Sequence, residues 1–300
     1  MRRGINLGNA LEAPNEGDWG YRIADAHLDA ISDAGFDGIR LPVRWDAHAD
    51  NGPLYRIAPS FIARVADVVN GALSRGLKVQ LDLHHYEALN AAPEAERARY
   101  LAIWSQIADH FADAPAALIF EPLNEPNGPA WGGRMLERLQ ADVTAIIRAS
   151  NPTRLIVHGG PNWNSLDGLR GWRPPDDANV AATFHYYEPH DFTHQGAEWL
   201  AEPPRFDRAW GGRGDVAIIE RHAMDAAAWT RSENVPLQLG EFGVNARVPL
   251  AQRAAWTRAV REAFTREGIA WCAWDFAGAF PVWGRDARRW IEEMRAALLD

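Results

Sequence analysis

Among its 300 residues the chain has one cysteine, Cys272, so no internal disulfide can form. That cysteine lies in the apolar run Gly268-Ile-Ala-Trp-Cys-Ala-Trp274, the setting of a buried core thiol. Nowhere does the sequence approach the about 20 consecutive apolar residues of a membrane-spanning helix. Positive charge is not in excess either: 31 basic against 40 acidic side chains leave a formal charge of -9. Nucleic acid and anionic membrane surfaces usually need a basic patch, so neither is expected as a partner, whereas a neutral ligand meets no objection. A secretory leader is not visible, because Met1-Arg-Arg-Gly-Ile5 runs almost at once into Asn6, Gly8 and Asn9.

Several chemical signatures are also missing. No phosphate-binding or dinucleotide-binding glycine pattern follows a strand-like run, and no Gly-x-Ser-x-Gly elbow occurs, so nucleotide and serine-hydrolase chemistry have no support. No Cys- or His-rich spacing resembles a structural zinc site. Neither a cofactor nor a metal is expected.

What is present is an ordinary globular balance, 47% apolar and 24% charged residues, with 14 tryptophans. Trp19, Trp131, Trp163, Trp199, Trp210 and Trp283 sit in Gly-, Asn-, Pro- or charge-rich segments that read as loops. Taken together they suggest a long groove with aromatic floors.

Short apolar runs alternate with longer amphipathic ones along the whole chain. The expected strands are Arg3-Leu7, Gly38-Leu41, Lys78-Leu83, Ala117-Phe120, Leu155-His158, Ala181-His185, Leu237-Gly240 and Ile269-Trp274. Helical spacing recurs near Ile23-Ala34, Pro59-Arg75, Ala95-Phe111, Arg134-Ala149, Val216-Arg231, Leu250-Arg266 and Arg288-Leu299, with a short, weak helix at Ser165-Leu169. Gly35, Gly76 and Gly268 fit helix stops just before the next strand. Eight such repeats predict a single (β/α)8 TIM barrel domain over residues 1–300, with long loops after strands one and six on the catalytic face.

In that scheme the strand ends gather Asn6, Asn9, Arg40, Asp82, His84, His85, Tyr86, Glu121, Asn124, Glu125, His185, Tyr187, Glu241 and Trp274 into one ring. Glu125, in Phe120-Glu-Pro-Leu-Asn-Glu-Pro126, and Glu241, in Leu239-Gly-Glu-Phe-Gly243, lie on strands four and seven and can face each other across the mouth. A protonated and an ionised carboxyl so placed are the equipment for cleaving a glycosidic bond. About 5 to 5.5 Å between them means retention, and a wider gap means inversion. Arg40 is placed to hydrogen-bond the ionised member and favour its charge, Tyr187 to donate its hydroxyl to it, Asn124 to hold a sugar hydroxyl, and Trp274 to stack under a sugar ring. Adjacent strand residues point to opposite faces, so His84 and His85 are not expected to share one ion.

These motifs resemble glycoside hydrolase family 5, the cellulase-type (β/α)8 retaining enzymes, from Gly4 to Trp283. The resemblance implies that Glu125, in Leu123-Asn-Glu-Pro126, is the general acid/base and Glu241 the nucleophile. Arg40, in Ile39-Arg-Leu-Pro-Val-Arg-Trp45, resembles the arginine that supports the nucleophile. His84, His85, Asn124, His185, Tyr187 and Trp274 correspond to the family's substrate-contacting set. The stretch Phe192-Thr-His-Gln-Gly-Ala-Glu-Trp199 is similar to a loop of bacterial endoglucanases, which implies that His194 lines the cleft. The substrate implied is a soluble or amorphous β-1,4-glucan, with β-mannan, mixed-linkage glucan or xyloglucan as alternatives, and a non-catalytic sugar-binding protein as a different class. A monomer is expected, extracellular or periplasmic by resemblance.

Overall fold

The computed structural model describes residues 1–132 and 134–300. Eight parallel strands close into a barrel in chain order: β1 (Arg3–Asn6), β2 (Gly38–Leu41), β3 (Lys78–Asp82), β4 (Leu118–Glu121), β5 (Ile156–Gly159), β6 (Val180–His185), β7 (Leu237–Glu241) and β8 (Ala270–Ala273). Every expected strand is there, its ends within one residue of the sequence reading. Helices pack around the outside. The one at Pro59–Ser74 shows why: Phe61, Val65, Val68, Val69 and Ala72 form a single buried stripe. Gly35, Gly76 and Gly268 have φ of 94°, 77° and 77°, a left-handed turn that lets each helix stop and the chain re-enter the sheet.

Two expected helices differ. The last one begins at Glu292, because Arg289–Trp290 pairs antiparallel with Trp283–Gly284 and that hairpin consumes the residues before it. After β5 no covering helix forms; the chain makes a tight turn at Pro161–Asn164 and a 3-10 turn at Asp167–Leu169. No described helix is long and apolar enough to cross a membrane.

The strands are buried on both faces, as a parallel barrel requires. Outward side chains such as Ile39, Leu41, Leu81 and Phe120 join the main core under the helices, while Ile119, Val157 and Ala181 form a small separate cluster. Further toward the carboxyl ends the lining turns polar: Asn6, Arg40, Gln80, Asp82 and Glu121 are all fully buried. Neighbouring register brings them together, with Asn6 beside Arg40, Arg40 beside Gln80 and Asp82 beside Glu121.

One irregularity aims a key residue. Between β6 and β7 the register slips, so that Phe184 pairs with Leu239 but His185 with Glu241. Strict alternation from Leu239 would turn Glu241 outward; the extra residue, Gly240, turns it inward. A side chain at Gly240 would collide with the Thr183 hydroxyl and the His185 ring.

Candidate active site

Arg40 is the hub beneath the barrel mouth. Its Nε and Nη2 donate to the two oxygens of Glu121 at 2.7 and 2.8 Å, and Nη1 donates to Glu241 Oε1 at 2.7 Å and Asn6 Oδ1 at 3.0 Å. Nη2 also lies 2.6 Å from Asp82 Oδ2 and donates to Asn124 Oδ1 at 2.7 Å. Three carboxyl groups thus share one buried cation. Burial outweighs that cation at Asp82, whose carboxyl is pushed up to about 6. Asn6 is held from below, its Nδ2 donating to the carbonyls of Gly240 and Ala273. Expected among the supporting and substrate-binding residues, it lies under Arg40, fully buried.

Glu125 follows β4 with φ of 46°, a left-handed conformation uncommon outside glycine that turns its carboxyl over the barrel mouth. There His185 Nδ1 lies 2.7 Å from Glu125 Oε1 and 3.5 Å from Glu241 Oε2. Donor atoms of Glu125, His185 and Glu241 all fall within 4.8 Å of one another, a set that a transition metal would also accept. Burial pushes both carboxyls up to about 7, each also raised by a neighbouring carboxylate. Their partners separate them. Glu241 accepts from Arg40 at 2.7 Å and from the Tyr187 hydroxyl at 2.8 Å, both of which favour the carboxylate. Glu125 has neither, which favours it as the holder of a proton shared by the pair.

A cavity of about 540 Å³ opens over this pair, lined among others by Asn9, Trp19, Arg44, His84, His85, Tyr187, His194, Trp199, Trp274 and Phe280. Trp274 stacks parallel on His84, ring centroids 5.6 Å apart. His84 in turn has Nδ1 3.1 Å from Asp82 and Nε2 3.3 Å from Asn124 Nδ2, so Asp82 and Arg40 together fix the Asn124 amide. The two histidines share the cleft because β3 has already ended at Asp82 and His85 takes φ of 55°; the opposite-face argument does not reach them.

Only some of the loop tryptophans form a groove. Trp19 and Trp199 flank the cavity and are 41% and 55% exposed. Trp163, after β5, is exposed on the loop beside Pro126, whose carbonyl accepts from its backbone N–H at 3.3 Å, but does not line the cavity. Trp210 is a correction: it sits against Val216, Ala255 and Ala259 between the two helices that follow β6 and β7, away from the cleft. Trp131 and Trp283 are buried packing residues, the first donating to Asn90. Asn9 lines the cleft, as its place just after β1 led one to expect; Arg44 and Phe280 were not anticipated there, and only their places just after β2 and β8 hinted at it.

These features define a class, the glycoside hydrolase with a carboxyl pair at the mouth of a (β/α)8 barrel. The profile of the family described as "Cellulase (glycosyl hydrolase family 5)" matches residues 5–279, and the chain belongs to that family. It is 34% identical to Endoglucanase H of Acetivibrio thermocellus, aligning over all of this chain but spanning only 33% of that protein. It is 30% identical to Endoglucanase A of Ruminococcus albus, covering 91% of this chain and 81% of that one. The structure of Thermotoga maritima Cel5A, described in complexes with cellobiose and with mannotriose, superimposes with a TM-score of 0.96 at 38% identity, covering 99% of this chain and 97% of that one.

Proposed function

We propose that this chain is a retaining endo-β-1,4-glucanase domain, with Glu125 as general acid/base and Glu241 as nucleophile. The observation that carries the reading is the carboxyl pair: one oxygen of each lies within 4.8 Å of one of the other, which favours the close spacing of a retaining pair over the about 6.5 to 9.5 Å of an inverting one. In the first step Glu241, held ionised by Arg40 and Tyr187, attacks the anomeric carbon while Glu125 gives its proton to the leaving oxygen. In the second, Glu125, now a carboxylate, takes a proton from water, which displaces Glu241 from the sugar. His194, Trp199 and Trp274 line the substrate path, Trp274 offering the face opposite its stack on His84.

Glucan rather than mannan is favoured because the named relatives are endoglucanases. Mannotriose in the Cel5A structure makes mannan the comparison substrate. Rates on carboxymethylcellulose, lichenan, glucomannan and galactomannan test this; a galactomannan rate well above every glucan rate refutes it. The residue roles are tested by azide. Glu241→Ala with azide should give the α-glycosyl azide and Glu125→Ala the β-glycosyl azide; the opposite pairing reverses the assignment.

A further inference from the structure

Asn164 stands against His185 at the ring nitrogen that does not face Glu125. It is fully buried, and it closes a run, Asn162 to Asn164, whose φ values of 58°, 57° and 52° are all left-handed. Asparagine tolerates that conformation better than most residues, tryptophan poorly, so the loop is held there by its surroundings. The Asn164 side chain fills the space over Gly159, where any added Cβ would collide with the amide. Its Nδ2 lies 3.5 Å from His185 Nε2, and its Oδ1, although buried, has no hydrogen-bond partner among the described residues. A built, fully buried amide that contacts one catalytic-site ring and leaves its oxygen unpaired calls for an explanation.

The histidine it touches has two nitrogens with opposite tasks. Nδ1 is 2.7 Å from Glu125 Oε1, and burial favours the neutral ring. A neutral imidazole carries its proton on one nitrogen only. With the proton on Nε2, Nδ1 is a lone pair that accepts from a protonated Glu125. With the proton on Nδ1, the ring donates to an ionised Glu125.

We propose that Asn164 is a positioning residue for the acid/base: the end of its amide presented to Nε2 selects the tautomer of His185, and the tautomer biases where Glu125 keeps its proton. The carbonyl end accepts from Nε2–H and supports the acid form; the amino end donates to Nε2 and supports the base form. A half-turn of the amide interchanges them and gives the orphaned oxygen a donor. The other groups facing this pair are Arg40 from β2, Asp82 from β3, Glu121 from β4, Glu241 from β7 and the Tyr187 hydroxyl. Asn164 carries no charge, so it can change the tautomer without changing the local charge.

The inference rests on the reading of Glu125 as acid/base, and the experiment separates the two. Asn164→Gly keeps the left-handed backbone and deletes the amide; Asn164→Asp keeps an acceptor and removes the donor. Both are compared with the parent and with Glu125→Ala by imidazole nitrogen NMR, thermal midpoint, and pH profiles of kcat/KM on two aryl β-cellobiosides, one with a poor and one with a good leaving group. Asn164→Asp should show His185 protonated on Nε2 and move the alkaline limb upward by about half a unit or more. Asn164→Gly should lose about tenfold on the poor leaving group and several-fold less on the good one. If Glu125→Ala is equally slow on both substrates, the acid/base reading fails and this inference with it. If Glu125→Ala shows the contrast but neither Asn164 variant alters the His185 tautomer or the alkaline limb, the role given to Asn164 alone is overturned. Should Asn164→Gly fail to fold, Asn164→Asp carries the same test.

Discussion

Removing the hub cation should cost stability in a way that grows with pH. Arg40→Met keeps most of the side-chain volume but leaves Asp82, Glu121 and Glu241 buried without their shared guanidinium. Breaking a buried ion pair from one side typically costs about 3 to 5 kcal/mol, because the remaining charge is uncompensated. In the parent, Asp82 and Glu241 are already pushed up to about 6 and about 7 by burial despite Arg40. Carboxyls whose folded pKa lies above the unfolded value stabilise fully below about pH 4 and lose that contribution as pH rises through the folded value. Without the cation both should titrate above about pH 8, a rise of at least about two units for Asp82 and one for Glu241. At about 1.36 kcal/mol per unit, the pH-dependent part of the loss that comes from Asp82 and Glu241 reaches about 4 kcal/mol at alkaline pH and nearly vanishes near pH 5, leaving there only the cost that does not depend on their protons. Urea unfolding of parent and variant at about pH 5, 6.5 and 8 measures it through the midpoint, with the m-value checking that the unfolded state is unchanged. A difference below about 1 kcal/mol that does not vary with pH would refute the picture of a cation holding three buried carboxyls.

Other outcomes follow from the same geometry. The pH profile of kcat/KM should be bell-shaped, with an alkaline limb near 7 as Glu125 loses its proton and an acid limb as Glu241 gains one. An activated leaving group should flatten the alkaline limb, and an unchanged limb would contradict Glu125 as the acid. Tyr187→Phe deletes a 2.8 Å hydrogen bond to the Glu241 carboxylate and should lower kcat/KM about 10- to 100-fold, equivalent to about 1.5 to 3 kcal/mol, with the acid limb moved upward. Gly240→Ala should destabilise by about 1 to 3 kcal/mol and reduce activity through displacement of His185, measurable as a lower unfolding midpoint together with a lower kcat. Trp274→Ala should weaken kcat/KM far more than the thermal midpoint, since the ring is part of the cleft wall; a large loss of midpoint with little loss of kcat/KM would make it a core residue.

Much of this architecture is legible in the residues because a closed parallel barrel imposes simple patterns. Most strands are short apolar runs with polar residues at or just beyond their carboxyl ends, and helix-stop glycines mark three of the returns. Arg40, Glu121, Asn124, Glu125, His185, Tyr187 and Glu241 converge because chemistry gathers at strand ends in such a barrel. What sequence pattern could not carry depends on local departures from regular geometry. The inward aim of Glu241 requires a register slip at Gly240, which a period of two cannot reveal. His84 and His85 share the cleft only because the chain leaves the strand before them. The six loop tryptophans look alike in sequence, yet their surroundings divide them. Trp19 and Trp199 wall the cleft, Trp131 and Trp283 are packed, Trp163 is exposed beside Pro126, and Trp210 faces the outer helices.

The central claim, double displacement by Glu241 with Glu125 as acid/base, is tested most directly by proton NMR of the first product anomer released from a soluble cello-oligosaccharide. The β-anomer should appear first and then equilibrate with the α-anomer by mutarotation. Initial release of the α-anomer would mean inversion and would contradict the mechanism drawn from carboxyl oxygens held within 4.8 Å.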